Sequence, residues 1–254
     1  MIEKLRQKIA SGEAVYGTML TIFDHPEISR ILKNAGFDWF FLDCEHGYPN
    51  IDRMYAMFGY AKMTGISALI RIPEINKADV LRVMDMGADG IICPNVETAE
   101  EAQELVRLAK YAPLGERGVS LSRPHTGYQK VEALSYMEKS NHDTMIICQM
   151  ESLKGVGNLD TILSLEGVDG AFIGPNDLTQ SMGILNQYDN PQYIETVEHV
   201  FKLCRLHGKI AGITNKDLKA LLHWKSKGAL LLQWGTDVSL LTDKISSGFK
   251  EIGL

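Results

Sequence analysis

Short, almost unbroken apolar runs recur along the chain: Trp39-Phe-Phe-Leu42, Ala68-Leu-Ile70, Ile91-Ile-Cys93, Met145-Ile-Ile-Cys148, Ala171-Phe-Ile173, Ile210-Ala-Gly-Ile213 and Leu230-Leu-Leu232. Runs this short with no polar alternation read as parallel strands buried on both faces. A phrase precedes several of them. Ala35-Gly36-Phe37-Asp38, Met86-Gly87-Ala88-Asp89, Glu166-Gly167-Val168-Asp169 and Lys227-Gly228-Ala229 each end a helical pattern and open a strand. Glycine enters the left-handed conformation that terminates a helix at little cost, so the phrase marks helix stop, turn and strand. Repeated αβ joints of this kind imply alternating helices and parallel strands.

Helix starts fit the same scheme. Pro26 suits a first helical position, Asn76 suits the cap of a helix carrying Val80, Leu81 and Met84, and Thr98-Ala-Glu-Glu101 has capping-box form. Strands then centre near residues 17, 40, 69, 92, 147, 172, 211 and 232, the count of a closed (β/α)8 TIM barrel, α/β in class. The long step from 92 to 147 holds a helix over 97–111, a loop through Gly115-Glu-Arg-Gly118 to Tyr128 and a second helix near 130–140. A long loop at a barrel mouth often selects substrate.

Bulk composition narrows the partners. With 254 residues, 45% of them hydrophobic and 23% charged, the chain 1–254 suits one barrel domain with a large core. A net charge of −6 without a basic stripe argues against nucleic acid and anionic membrane, leaving a small molecule as the expected partner. Cys44, Cys93, Cys148 and Cys204 form no Cys-x-x-Cys pair and read as reduced thiols of a cytoplasmic protein. The N-terminal segment has no signal-peptide h-region, and no apolar run is long enough to span a membrane.

Reactive side chains gather at C-terminal strand ends. Asp43, Glu45 and His46 follow the second strand, Arg71 the third, Gln149 and Glu151 end the fifth, Asp177 follows the sixth, and Thr214-Asn215 the seventh. In a barrel of this kind that face holds the active site. Strand alternation puts Gln149 and Glu151 on the inner face if Cys148 and Met150 face the helices. Glu151 and Asp177, 26 residues apart, are separated by about one strand–helix–strand unit, so parallel strands bring both carboxylates to the same end of the sheet. Oxygen ligands converging there suit a hard divalent cation.

Each residue also has a plainer use. A lone acid after a strand is more often a helix cap, a lone histidine a surface or structural group, and a lone arginine a rim ion pair. Their joint placement at one rim favours a site. His125, His142, His207 and His223 lack ligand spacing, Arg117 could bind phosphate or brace a turn, and Gly155-Val-Gly157 lacks the dinucleotide fingerprint.

Asp43-Cys-Glu-His46, Arg71, Glu116-Arg-Gly-Val119, Gln149-Met-Glu151 and Phe172-Ile-Gly-Pro-Asn-Asp-Leu178, in this order, resemble the HpcH/HpaI family of class II pyruvate aldolases, typified by 2,4-dihydroxyhept-2-ene-1,7-dioate aldolase. The resemblance runs over nearly the whole chain. It implies a metal-dependent lyase that cleaves or forms the C3–C4 bond of a 4-hydroxy-2-oxo acid, giving pyruvate and an aldehyde. By that resemblance Glu151 and Asp177 ligate Mg²⁺, Mn²⁺ or Co²⁺, and Arg71 donates to the keto oxygen. His46, oriented by Asp43, acts as base, and Glu45 holds its water. Gln149, Gly174, Pro175 and Asn176 border the 2-oxo acid. The resemblance also implies a hexamer built from trimers, with Asp85 reaching a neighbouring subunit's site and a C-terminal helix near 238–248 packing across subunits. Cys44 stands where relatives often carry glycine, and Ser120–Gly127 matches them poorly, which leaves the aldehyde open. A 2-oxo acid decarboxylase, a CoA-ester lyase of the citrate-lyase type and a non-catalytic barrel binding 2-oxo acids are the competing readings.

Overall fold

The computed structural model describes residues 1–253. In chain order the elements are α1 (Ile2–Ala10), β1 (Val15–Leu20), α2 (Ile28–Ala35), β2 (Trp39–Asp43), α3 (Ile51–Thr64), β3 (Ser67–Arg71), α4 (Lys77–Met86), β4 (Gly90–Cys93) and α5 (Ala99–Ala109). A 3₁₀ turn (Pro124–Thr126), α6 (Ala133–Asp143), β5 (Met145–Met150), α7 (Leu153–Gly157), α8 (Leu159–Ser164), β6 (Gly170–Ile173), α9 (Pro175–Ser181), α10 (Pro191–Leu206), β7 (Ile210–Asn215), α11 (Leu218–Ser226), β8 (Leu231–Thr236) and α12 (Asp237–Glu251) follow. The eight strands are parallel and pair in sequence order, β8 returning to β1, which closes the barrel. All eight expected strand centres fall inside strands.

The repeated glycine phrase has a two-part cause. Gly36, Gly87, Gly167 and Gly228 take φ of 102°, 98°, 92° and 108°, the left-handed turn that only glycine adopts freely. The aspartate that follows accepts a backbone N–H from the preceding strand: Asp38 from Tyr16 (3.1 Å), Asp89 from Ala68 (2.9 Å) and Asp169 from Ile146 (2.7 Å). Each carboxylate thus satisfies an amide at the N-terminal rim of the sheet, where the ladder would otherwise leave one unpaired.

Two apolar layers result from strand alternation. Outward residues such as Phe40, Leu42, Ile91, Cys148 and Met150 pack under the helices. Inward residues Val15, Trp39, Phe41, Leu69, Ile92, Met145, Ile147, Phe172, Ile210 and Leu231 fill the barrel, and Ile2, Leu5 and Ile9 of α1 close its floor. Trp39 and Phe172 have room because their inward neighbours are Gly17 and Gly212, whose added Cβ atoms would collide with those rings. The basic side of α1 is tied to the same rim: Lys8 Nζ donates to Asp38 (2.9 Å) and Arg6 Nη2 to Asp169 (2.8 Å). Apart from Ser67 beside Trp39, the polar inward side chains begin at the Phe41 and Phe172 level, so the chemistry sits at one end.

Asn76 and Thr98 cap α4 and α5 as expected, the latter in a reciprocal capping box. Pro26 does not begin a helix. It lies in the turn before α2, where its carbonyl accepts from Ser29 N at 3.2 Å, and Glu27 stands at the cap instead. No described helix is long and apolar enough to cross a membrane.

Candidate active site

A cavity of about 890 Å³ opens at the C-terminal strand ends, lined by His46, Arg71, Gln149, Glu151, Gly174, Pro175, Asn176 and Asp177 among others. Asp43 and Arg71 are register partners on β2 and β3. Arg71 Nε and Nη2 donate to the two Asp43 carboxylate oxygens at 2.9 and 2.8 Å, a bidentate pair with Asp43 fully buried. Nη1 lies 3.1 Å from Glu45 Oε2 and makes no hydrogen bond within the described residues. The guanidinium is therefore locked in direction with one nitrogen left to donate to a ligand.

Asp43 does not touch the His46 ring. Its Oδ1 also accepts the backbone N–H groups of Glu45 (3.0 Å) and His46 (3.3 Å), so it shapes the loop and aims Arg71, while the imidazole stands exposed at the rim, 3.9 Å from Glu45. The expectation that Asp43 orients the His46 side chain is thereby corrected. Gly47 lets this loop fold back, since a Cβ there would lie 2.8 Å from the Thr21 carbonyl oxygen and closer still to that of Asp43.

Glu151 leaves the end of β5 facing inward with Gln149, as strand alternation predicts; Cys148 and Met150 face the helices. Its Oε2 accepts Asn95 N at 2.9 Å and its Oε1 accepts Gln149 Nε2, so Gln149 positions the carboxylate as well as lining the cavity. Burial holds the Glu151 carboxyl above its ordinary pKa. Glu45 and Asp177 push it the same way, against the hydrogen bonds from Asn95 and Gln149. Glu45 is likewise raised, first by burial and then by Asp43 and Asp177, against Arg71 and His46. Gly174, before α9, lies against this group: a Cβ there would sit 2.6 Å from Glu151 Oε1 and 3.0 Å from Gln149 Nε2.

Glu151 and Asp177 thus face one cavity as hard oxygen donors whose negative charges oppose each other, a donor set that fits a divalent cation. Among the described residues no group of three or more His, Cys, Asp or Glu side chains is arranged to hold a metal, so the chain itself offers this pair. Asp85 does not join the cavity of its own chain. It lies near the end of α4, 2.9 Å from Arg117 Nη2 and 3.7 Å from His125 Nε2.

Asn95 escaped sequence reasoning although it serves two acids at once: its N–H reaches Glu151 and its Nδ2 donates to Glu45 Oε1 at 3.2 Å. Its φ of 54° gives the reason for asparagine, which tolerates the left-handed turn after β4. Asp237 was also missed. It accepts the N–H groups of Thr21 (3.0 Å), Ile22 (2.9 Å) and Phe23 (2.8 Å), stapling the loop after β1 to the start of α12.

The sequence model for HpcH/HpaI aldolase/citrate lyase matches residues 19–243. A 5-keto-4-deoxy-D-glucarate aldolase from Escherichia coli O157:H7 is 32% identical over 254 residues, covering 98% of this chain and 97% of the relative. The crystal structure of an HpcH/HpaI aldolase from Desulfitobacterium hafniense superposes with TM-score 0.93 at 37% identity, covering 98% of this chain and 96% of that one. An HpcH/HpaI aldolase/citrate lyase family protein from Burkholderia cenocepacia superposes with TM-score 0.90 at 26% identity, covering 98% of each chain.

Proposed function

The chain belongs to the HpcH/HpaI aldolase/citrate lyase family, a family of carbon–carbon lyases, and from that premise we propose a divalent-metal-dependent aldolase that cleaves or forms the C3–C4 bond of a 4-hydroxy-2-oxo acid. The observation that carries the reading is the locked Arg71 beside the Glu151 and Asp177 carboxylates around one cavity. Breaking C3–C4 leaves an electron pair on C3, which survives by delocalising onto the 2-oxo oxygen as an enolate. Arg71 Nη1 donates to that oxygen as its charge grows, already aimed by Asp43, so little reorganisation is needed. Mg²⁺, Mn²⁺ or Co²⁺ held by Glu151 and Asp177 would supply Lewis-acid polarisation of the same oxygen. His46 at the rim accepts the 4-hydroxyl proton as the aldehyde departs and returns it to C3 of the enolate, giving pyruvate and the free base. Gln149 and Asn95 keep Glu151 in place, and Gly174, Pro175 and Asn176 border the 2-oxo acid.

A second copy of the chain completes the picture. Along α12, Val238, Leu241, Ile245 and Phe249 are 38–50% exposed and only Asp237 is buried, which supports packing of this helix on another subunit in a trimer or hexamer. Asp85 would then serve a neighbour's site. The four free thiols support a reducing, cytoplasmic location.

The test is loss of the pyruvate methyl signal by proton NMR in D2O, with and without Mg²⁺ or Mn²⁺ after chelation. Metal-dependent exchange supports enolate formation. No exchange with any metal, in protein that binds the ion, would refute it, and carbon dioxide release without an aldehyde would favour the decarboxylase.

A further inference from the structure

Resting on the metal reading above, we infer that Tyr188, in the loop between α9 and α10, is a positioning residue for Asp177. Its hydroxyl closes a ring of hydrogen bonds that fixes the first turn of α9, and with that turn the more exposed of the two carboxylates proposed to hold the ion. The two acids are held in different ways. Glu151 is clamped through its side chain, one oxygen accepting Asn95 N at 2.9 Å and the other Gln149 Nε2. Asp177 is exposed to the cavity and makes no side-chain hydrogen bond or ion pair among the described residues. Its place is therefore set by its backbone, in the first turn of α9.

That turn lacks the usual brace. Gly174 stands at the cap with no side chain to accept the free N–H groups of the first turn. The substitute comes from the loop. Thr179, fully buried, donates from Oγ1 to the Asn176 carbonyl at 2.9 Å and accepts Asn186 N at 3.2 Å. Asn186 has φ 62°, the left-handed conformation that asparagine tolerates. Tyr188 Oη then lies 2.8 Å from Asn186 Oδ1 and 2.6 Å from Asn176 Oδ1. The ring thus runs Asn176, Thr179, Asn186, Tyr188 and back to Asn176, with Asp177 inside its span.

A phenol has a single hydrogen. Both contacts are satisfied with one carboxamide turned to present its Nδ2, which makes Oη a donor to one asparagine and an acceptor from the other. The aromatic ring is seated independently of the hydroxyl. It meets Tyr193 edge-on at 6.0 Å, and Tyr193, itself buried, meets Trp224 of α11 at 6.3 Å. Removing the hydroxyl alone therefore opens the ring at Asn176 and leaves the loop packed.

The experiment is calorimetric titration of metal-stripped protein with Mn²⁺. Loss of one hydrogen bond that pre-orders a ligand predicts Mn²⁺ binding about 3- to 10-fold weaker in Tyr188→Phe, with the melting profile preserved. Tyr55→Phe, which removes a hydroxyl on α3 lying 3.4 Å from that of Tyr128, is the control and should bind as wild type does. In an Asn176→Ala background the link is already open, so adding Tyr188→Phe should change the affinity by less than about twofold. Wild-type affinity in Tyr188→Phe, the same several-fold loss in both backgrounds, or loss of the fold itself would overturn the assignment. Wild-type protein that binds no Mn²⁺ overturns the metal reading and this inference with it, whereas wild-type binding with unaltered Tyr188→Phe overturns this inference alone. Pyruvate exchange is read separately and bears on the aldolase chemistry.

Discussion

Replacing Gly174 by alanine should disable the site while leaving the barrel folded. The new Cβ would lie 2.6 Å from Glu151 Oε1 and 2.8 Å from Glu151 Cγ, against an ordinary C···O separation of about 3.3–3.6 Å. The carboxylate must retreat by roughly 0.7 Å or more, and misplacement on the order of 1 Å costs about 100-fold in rate. Retreat is resisted, because Glu151 is 5% exposed and its other oxygen holds Asn95 N at 2.9 Å. Overpacking of this kind costs about 1–3 kcal/mol, or about 2–10 °C in Tm for a chain of this size. Backbone strain plays no part, since Gly174 has φ −96°. Gly59, exposed on α3 with no atom within 4 Å of its built Cβ, is the control, and Gly59→Ala should gain up to about 1 kcal/mol. Pyruvate exchange and thermal melting are read on both variants. Exchange within threefold of wild type in folded Gly174→Ala would refute the idea that this glycine sets the Glu151 position.

Glu151→Gln or Asp177→Asn should abolish metal-dependent exchange with the melting profile preserved, and wild-type turnover unaffected by chelator would contradict the metal assignment. His46→Ala should slow exchange by about 10²–10⁴-fold with less effect on pyruvate binding, and full retention would require another base. Asp43→Ala strands a buried guanidinium with Glu45 alone, for a loss of about 3 kcal/mol that denaturant melts would detect, together with turnover. Asp89 gives a pH signature: burial raises its carboxyl pKa to about 6 from 3.8, so the native state favours the proton. Its stabilising contribution is full below 3.8 and lost as pH rises through 6. Asp89→Asn should therefore stabilise the protein by about 1–2 kcal/mol at pH 8, a figure reduced for its partial contact with solvent, and give no gain near pH 3.5; equal effects at both would contradict this.

The barrel and much of its mouth were legible in the chain because strand and joint are local features. Gly87, Ala88 and Asp89 announce helix stop and strand start within three residues, and the inward pointing of Gln149 and Glu151 follows from alternation. What escaped depended on contacts between distant segments. The Asp43–Arg71 pairing needs the β2–β3 register, the Asn95 bonds need β4 and β5 side by side, and Asp237 meets Thr21 only when β8 returns to β1. The family resemblance implies that Asp43 orients the His46 ring, whereas the side chain it pairs with is Arg71, 28 residues on. Pro26 was assigned to a helix from its φ preference alone, which a turn satisfies equally well.

The floor helix α1 carries a consequence for synthesis. It leaves the ribosome ahead of every strand of the barrel, yet Arg6 needs the carbonyls of Asp143 (3.2 Å) and Thr144 (3.1 Å) and the carboxylate of Asp169, none of which exists until most of the barrel has been made. At roughly 5–20 residues per second, Ile2, Leu5 and Ile9 wait on the order of 10–30 s before their seat is complete. During that interval a nascent chain carries, ahead of the unfinished barrel, an exposed apolar stripe with basic neighbours, the kind of segment a holding chaperone would shelter.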